Sequence, residues 1–106
     1  QTRILVQKER KVFIPNVITA NGDRLNDGFT AFGNYFADRI NRLEIYDRWG
    51  GLIFKTENIP LDEPVLGWDG THNGKNVLPG VFAYVIEIQF LDGETDLFYG
   101  DVTVLR

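Results

Sequence analysis

One run of ten residues, VFAYVIEIQF at positions 81–90, limits most strongly what this chain can fold into. Large apolar side chains alternate along it, so that Phe82, Tyr84, Ile86, Ile88 and Phe90 fall on one face. A period of two is that of a β-strand, and a continuous apolar face has to be buried. The sequence therefore predicts a long strand with this face in the core and the opposite face more exposed.

Two further alternating runs lie in RLEIYDRWGGLIFKTENI, residues 42–59, and a tryptophan and two glycines separate them. Leu43 and Ile45, and then Leu52 and Phe54, repeat with a period of two. This pattern predicts a hairpin with its turn at Gly50-Gly51, because glycine adopts positive φ without steric cost. Trp49 is too large to remain solvated without a reason, so we expect the core or a partner to cover it.

The remaining segments are short apolar runs separated by turn residues. The runs ILV (4–6) and VFI (12–14) are typical of short strands, and LFYGDVTVLR (97–106) predicts a final strand after a turn at Asp92-Gly93. We expect a structured loop over 17–29, a short strand followed by a loop over 31–40, and turns over 60–80. Together these elements predict an all-β chain, a two-sheet sandwich of about seven short antiparallel strands.

Composition excludes several classes of function. The chain has 106 residues, which is the size of one domain, and its net charge is −4, whereas a nucleic-acid surface needs a basic stripe. No apolar run approaches the length of a membrane span, so we expect neither nucleic acid nor membrane insertion. The chain contains no Cys, which excludes disulfides and thiolate chemistry, and it begins without Met, as a fragment of a longer protein would.

The segment NGDRLND is the one place where carboxylates and amides cluster. Its hard oxygen ligands, on Asn21, Asp23, Asn26 and Asp27, are of the kind that calcium prefers. The alternative is that these side chains cap the loop by bonding to its backbone, as Asn and Asp do without any metal. We favour the second interpretation, and so predict no cofactor, with calcium as the alternative.

No catalytic constellation is visible in the sequence. His72 is the single histidine, the chain has no Ser or Cys nucleophile, and the spacing of Asp69 and Asp101 does not bring them together. His72 is therefore expected to be a surface turn residue, and the chain is not expected to be an enzyme.

The two tryptophans leave two interpretations open. Trp49 and Trp68 are candidates for an aromatic platform that binds sugar, or each anchors its turn on the core. We favour the second, since buried tryptophan is common in β-sandwiches.

Four blocks of the sequence, taken together, resemble one family. VFIPNVITANGDRLNDGF, LEIYDRWGGLIF, GWDGTHNGKNVLPGVFAYVIE and the C-terminal GDVTVLR are similar, in order and spacing, to the gliding motility-associated C-terminal domain, which is the type B sorting domain of the type IX secretion system. The resemblance extends from about Val12 to Arg106. It implies an immunoglobulin-like β-sandwich.

Individual positions follow the family pattern with a few departures. Its Pro-Asn-x-x-Thr-Pro-Asn-Gly-Asp-Gly block corresponds to Pro15, Asn16, Thr19, Ala20, Asn21, Gly22, Asp23 and Arg24. Ala20 stands in place of proline and Arg24 in place of glycine, so the resemblance does not imply an ion site in this loop. Tyr46, Arg48, Trp49 and Gly50 match the Tyr-Asn-Arg-Trp-Gly block, with Asp47 in place of asparagine.

The resemblance implies a secretion signal rather than a catalyst. It predicts a C-terminal sorting domain at 12–106, preceded by a linker or first edge strand at 1–11, which directs a covalently attached passenger across the outer membrane to the cell surface or medium. The implied partners are the outer-membrane translocon and its shuttle proteins. The candidate recognition residues are Arg48, Trp49, Gly50, Trp68, Asp69 and Gly70. The alternatives are a carbohydrate- or surface-binding accessory module and a structural spacer.

Overall fold

A computed structural model describes residues 11–19, 28–33 and 35–105. The described residues form short and long strands and one 3₁₀ turn at Pro64–Leu66. The strands are β1 (Val12–Phe13), β2 (Val17–Thr19), β3 (Phe32–Gly33), β4 (Ala37–Tyr46), β5 (Leu52–Ile59), β6 (Thr71–His72), β7 (Lys75–Asn76), β8 (Gly80–Phe90) and β9 (Thr95–Leu105). Within these residues no helix has the length and apolar character that crossing a membrane requires.

A five-stranded sheet organises the molecule. Its strand order is β2-β9-β8-β4-β5, and neighbours are antiparallel except for β2, which runs parallel to β9. The β8–β9 ladder is regular from the pair Gly80↔Val104 to the pair Gln89↔Thr95. The turn between them is the predicted Asp92-Gly93 turn, in which the Gly93 N–H donates to the Phe90 carbonyl at 2.9 Å and Gly93 has φ +88°.

The second layer is thin, and it closes the core over one face of this sheet. It consists of the two-stranded ribbons β1–β3 and β6–β7 and of the segments next to them. Side chains of both layers share one cluster, which unites Ile86, Ile88 and Val102 of the sheet with Phe29 and Trp68 of the covering segments. The predicted all-β sandwich class is confirmed. Within that class the β2–β9 pair is parallel, whereas antiparallel strands were predicted, and β4 is longer than the short strands that the sequence suggested.

The predicted core face of β8 is also confirmed. Ile86, Ile88 and Phe90 are buried, and Phe82 and Tyr84 are half-buried against the same cluster. Gly100 of β9 lies opposite Tyr84, and a Cβ there would come within 2.9 Å of the Tyr84 hydroxyl. Glycine at this position therefore leaves room for the tyrosine to lie across the neighbouring strand.

Two stretches predicted as loop are strands. Residues 37–40 belong to β4, where register shifts between Ala37 and Arg39 and between Ile40 and Arg42 disturb the alternation that would have signalled a strand. Val17–Thr19 forms β2, which is stabilised by pairing with the distant β9 and by burial of Ile18. The predicted run at 4–6, the linker at 1–11 apart from Lys11, and the 20–27 part of the loop lie outside the described residues.

Candidate functional site

The hairpin tip, residues 47–51, is held in place by hydrogen bonds rather than by packing. The Asp47 carboxylate accepts the backbone N–H groups of Trp49 at 2.9 Å and of Gly51 at 2.8 Å. The Asp47 N–H donates to the Gly51 carbonyl at 2.9 Å, and the Gly50 N–H donates to the Asp47 carbonyl at 3.0 Å. Gly50 has φ +85°, which glycine adopts without strain. The tip is therefore ordered although it is solvated.

Trp49 stands out from this tip. Its side chain is 83% exposed, and the Arg48 guanidinium lies 5.5 Å from the centre of its ring, within cation–π range. The expectation that Trp49 anchors the turn on the core is wrong, because the turn is formed by Asp47 and Gly50 without the indole. An exposed indole on an ordered turn is suited to contact with a partner.

Beneath the tip, a polar network ties the hairpin stem to β8. Glu44 is only 8% exposed, and its Oε1 accepts from the Tyr46 hydroxyl at 2.8 Å and from Arg42 Nη1 at 3.0 Å. Glu87 of β8 accepts from Asn41 Nδ2 at 3.0 Å and from Arg42 Nε at 3.3 Å. Hydrogen bonds from Asn41 and Arg42 lower the pKa of Glu87, while donation to Glu87 raises the pKa of Arg42. Donation to Glu44 raises the pKa of Tyr46. The stem is thus braced by charge-assisted hydrogen bonds.

Trp68 occupies the opposite environment. Its side chain is 0% exposed, its Nε1–H donates to the Thr71 carbonyl at 2.9 Å, and its ring meets that of Phe82 edge-on at 5.3 Å. Its backbone exchanges two hydrogen bonds with Phe29, at 2.7 and 3.0 Å. Trp68 is a core residue, so the interpretation as a turn anchor holds here and an exposed sugar platform at this position is wrong.

The structure separates the six candidate recognition residues into two groups. Arg48, Trp49 and Gly50 share the exposed tip. Asp69 follows the buried Trp68 and accepts from the Thr71 N–H at 3.1 Å and the Thr71 hydroxyl at 2.7 Å, while Gly70 is buried with φ +85°. Asp69 and Gly70 therefore shape the turn after Trp68 rather than extend the surface around Trp49.

Asp47 is the residue of the candidate site that sequence reasoning missed. It was noted only as a departure from the family's asparagine, yet it fixes the backbone that presents Arg48 and Trp49. The signal was available, because an aspartate two to four residues before a glycine commonly accepts backbone N–H groups of its own turn.

The tip shares one end of the sheet with two other chain segments. β4 and β9 both run antiparallel to β8, and β2 runs parallel to β9. The C-terminal ends of β4, β9 and β2, at Tyr46, Leu105 and Thr19, consequently point the same way. The loop that follows Thr19 therefore starts at the end where Trp49 lies.

The calcium candidates Asn21, Asp23, Asn26 and Asp27 lie outside the described residues, so the favoured prediction of no ion and the calcium alternative both stay predictions. In the part of the chain that is described, no group of three or more His, Asp or Glu side chains is placed to hold a metal. His72 is exposed on β6, as a surface residue beside the Asn73-Gly74 turn.

Comparison with known proteins places the chain in a family. No curated protein sequence matches it. Its fold is similar to that in the crystal structure of CopC from Methylosinus trichosporium OB3b, with a TM-score of 0.59 and 14% identity over 90% of this chain and 89% of that chain. The family profile of the CHU_C type IX secretion signal domain matches residues 12–103. That match covers most of the chain and agrees with the resemblance carried by the four sequence blocks, so this chain belongs to the CHU_C family of type IX secretion signal domains.

Proposed function

We propose that this chain is the sorting domain of a larger protein, and that it directs an attached passenger through the type IX secretion system to the cell surface or medium. The observation that carries the proposal is the family match over residues 12–103. The sorting domain would comprise residues 12–106, with 1–11 as linker or first edge strand. The role requires recognition by the outer-membrane translocon and its shuttle proteins, and it requires neither catalysis nor a cofactor.

The hairpin tip is the proposed recognition element. Trp and Arg are enriched among residues that dominate binding energy at protein interfaces, and here Arg48 and Trp49 are adjacent and exposed. The Asp47 hydrogen bonds already fix the turn, so little conformational entropy remains to be lost on binding. The tip thereby combines exposure with preorganisation.

Export of a reporter tests the sorting role. Residues 1–106, fused to the C-terminus of a periplasm-targeted reporter in a host with type IX machinery, should bring the reporter to the surface or medium, with native upstream sequence added if needed. Deleting 97–106 should abolish export, because loss of most of β9 opens the core beside β8. A folded fusion that stays in the periplasm even with its native upstream region would overturn the proposal.

Substitution at the tip tests recognition separately from folding. Trp49→Ala and Arg48→Ala remove exposed side chains and should change the free energy of unfolding by no more than about 0.5 kcal/mol. We expect both variants to melt like the parent and to be exported poorly. Tyr35→Ala is the matched control, since Tyr35 is an exposed aromatic residue before β4, at the other end of the sheet. Equal export of the tip variants and the control would show that the tip is not the recognition element.

A second candidate follows from the exposed indole of Trp49, which is the kind of surface on which sugar rings stack. The tip would then belong to a carbohydrate- or surface-binding module. Titration of soluble polysaccharides while following tryptophan fluorescence decides between the candidates. Binding that Trp49→Ala abolishes, together with failed export of the parent fusion, would favour the binding module. Failure of both assays would leave the structural spacer.

A further inference from the structure

The two edges of the five-stranded sheet are protected very differently. At the β5 edge, the pairing with β4 shifts register between Ile45 and Tyr46, which leaves an irregular step at Ile53. Lys55 and Glu57 add charge, with 3.4 Å between Lys55 Nζ and Glu57 Oε2, and Asn58 has φ +56°. Bulges, charged side chains and irregular backbone conformation are the usual means by which proteins prevent strand addition at an edge. The β5 edge is thus closed to another strand.

The β9 edge lacks a bulge or break of this kind. β2 pairs with β9 only at Thr103, Val104 and Leu105. Before β2, Pro15 has no N–H to donate, and the chain turns away to pair β1 with β3. Among the residues that the structure describes, nothing pairs with β9 on this side before Thr103. The strand itself stays regular there, because its ladder with β8 has no register shift.

The orientation of the β9 backbone follows from one hydrogen bond. The Thr103 N–H donates to the Asn16 carbonyl at 2.8 Å, so it points to the β2 side. Successive residues of a strand alternate in direction, and therefore the N–H and C=O groups of Leu97, Tyr99 and Asp101 point to the same side. These groups form a ready template for an added strand.

The side chains along this edge define what can bind it. Leu97 is 49% and Tyr99 74% exposed, on the sheet face away from the core, and the exposed Asp101 follows at the next position of that face. An added strand would lie beside an apolar pair and a carboxylate. The net charge of −4, together with Asp101 on this edge, opposes pairing of two copies, since like charges would meet.

We propose that the β9 edge at Leu97, Tyr99 and Asp101 binds an extended segment of a partner protein, one that alternates apolar residues with lysine or arginine. The segment would add a sixth strand in line with β2, with main-chain hydrogen bonds supplying affinity and Asp101 selecting the basic side chain. This site lies away from the Trp49 tip, and it stands whether or not the tip recognises the export machinery.

A synthetic peptide tests the proposal directly. The probe is the capped heptapeptide KVTVTVK, titrated into the isotopically labelled 106-residue chain and followed by NMR and amide hydrogen exchange. The amides of Leu97, Tyr99 and Asp101 should exchange rapidly in the free chain and become protected with peptide. The same peptide N-methylated at alternate residues should bind about tenfold more weakly or worse, because it loses two or more ladder hydrogen bonds. The acidic peptide EVTVTVE should also bind more weakly.

Two variants make the test specific. Tyr99→Pro removes an N–H that points away from β8 and leaves the hydrogen bonds between β9 and β8 in place. It should abolish the peptide-induced changes, whereas the control Tyr99→Thr should retain them. Asp101→Lys should reverse the preference between the basic and acidic peptides, and it decides the matter if Tyr99→Pro fails to fold. Protection of these three amides in the free chain, or equal binding of the basic, acidic and N-methylated peptides, would overturn the proposal.

Discussion

The two tryptophan turns of this chain look alike in sequence and differ completely in structure. Each tryptophan is followed within two residues by a glycine with φ +85°, yet Trp49 is exposed and Trp68 is buried. At Trp68 the backbone pairs with Phe29, and this pairing holds the indole in the core between the two layers. At Trp49 the backbone pairs only with its own turn through Asp47. The long-range partner of the backbone, rather than the local motif, decides which tryptophan is core.

The largest difference should be in stability. Trp68→Ala removes a fully buried side chain and should lower the free energy of unfolding by about 3–5 kcal/mol. Trp49→Ala should change it by no more than about 0.5 kcal/mol. Urea denaturation monitored by circular dichroism measures both. Similar losses in the two variants would mean that the indole of Trp49 is covered, and the comparison between the turns would fail.

Gly67, just before Trp68, and Gly50, just after Trp49, should be required for different reasons. A Cβ on Gly67, just before Trp68, would overlap the Phe29 carbonyl oxygen although the φ of −87° suits any residue. Gly67→Ala should therefore cost about 1–3 kcal/mol through overpacking. Gly50 has open space around its Cβ position but φ +85°, so Gly50→Ala should cost about 1–2 kcal/mol through backbone strain alone.

Asparagine separates these two causes, because it tolerates positive φ better than alanine does and yet is larger. Gly50→Asn should recover part of the stability lost in Gly50→Ala, whereas Gly67→Asn should be worse than Gly67→Ala. Thermal unfolding of the four variants gives the comparison. Recovery at Gly67, or none at Gly50, would contradict the assignment of backbone strain to Gly50 and crowding to Gly67.

A smaller effect is expected at Asp47, which holds the exposed turn. Asp47→Ala removes the acceptor for the N–H groups of Trp49 and Gly51 and should cost about 1 kcal/mol. The indole of Trp49 should become more mobile while that of Trp68 does not, which relaxation of the two indole N–H signals can resolve. Asp47→Asn keeps an acceptor oxygen and serves as the control. Unchanged order at Trp49 in Asp47→Ala would show that the turn is fixed by something other than this carboxylate.

Some elements of this fold could be predicted from the local sequence pattern, and others depend on long-range contacts. The β8 strand, the 42–59 hairpin and the Asp92-Gly93 turn were predictable because alternation and turn residues are encoded within a few positions. β2 was not, since its three residues depend on parallel pairing with β9, which lies more than eighty positions away in sequence. Of the candidate recognition residues, Arg48, Trp49 and Gly50 could be placed together from the hairpin pattern. The burial of Trp68 could not be predicted, because it depends on Phe29, whose pairing no local pattern reports.

The smallest expected effect is on how stability depends on pH. The pKa of Glu87 is lowered from its ordinary value of 4.5 by hydrogen bonds from Asn41 and Arg42, which brace the stem below Trp49. A lowered folded-state pKa stabilises the protein above the unfolded value, and this contribution is lost as the pH falls through the folded value.

Between pH 7 and pH 3, the melting temperature of Glu87→Gln should therefore fall less than that of the parent. The variant should be less stable than the parent at pH 7, and this difference should become smaller toward pH 3. Asn41→Ala, which removes the first donor to this carboxylate, should reproduce part of the effect. Amide exchange should place the acid-induced loosening in the stem, at Arg42 to Tyr46, and leave the Phe29–Trp68 pair protected. Equal falls in the parent and both variants would show that the bracing of Glu87 adds nothing to stability.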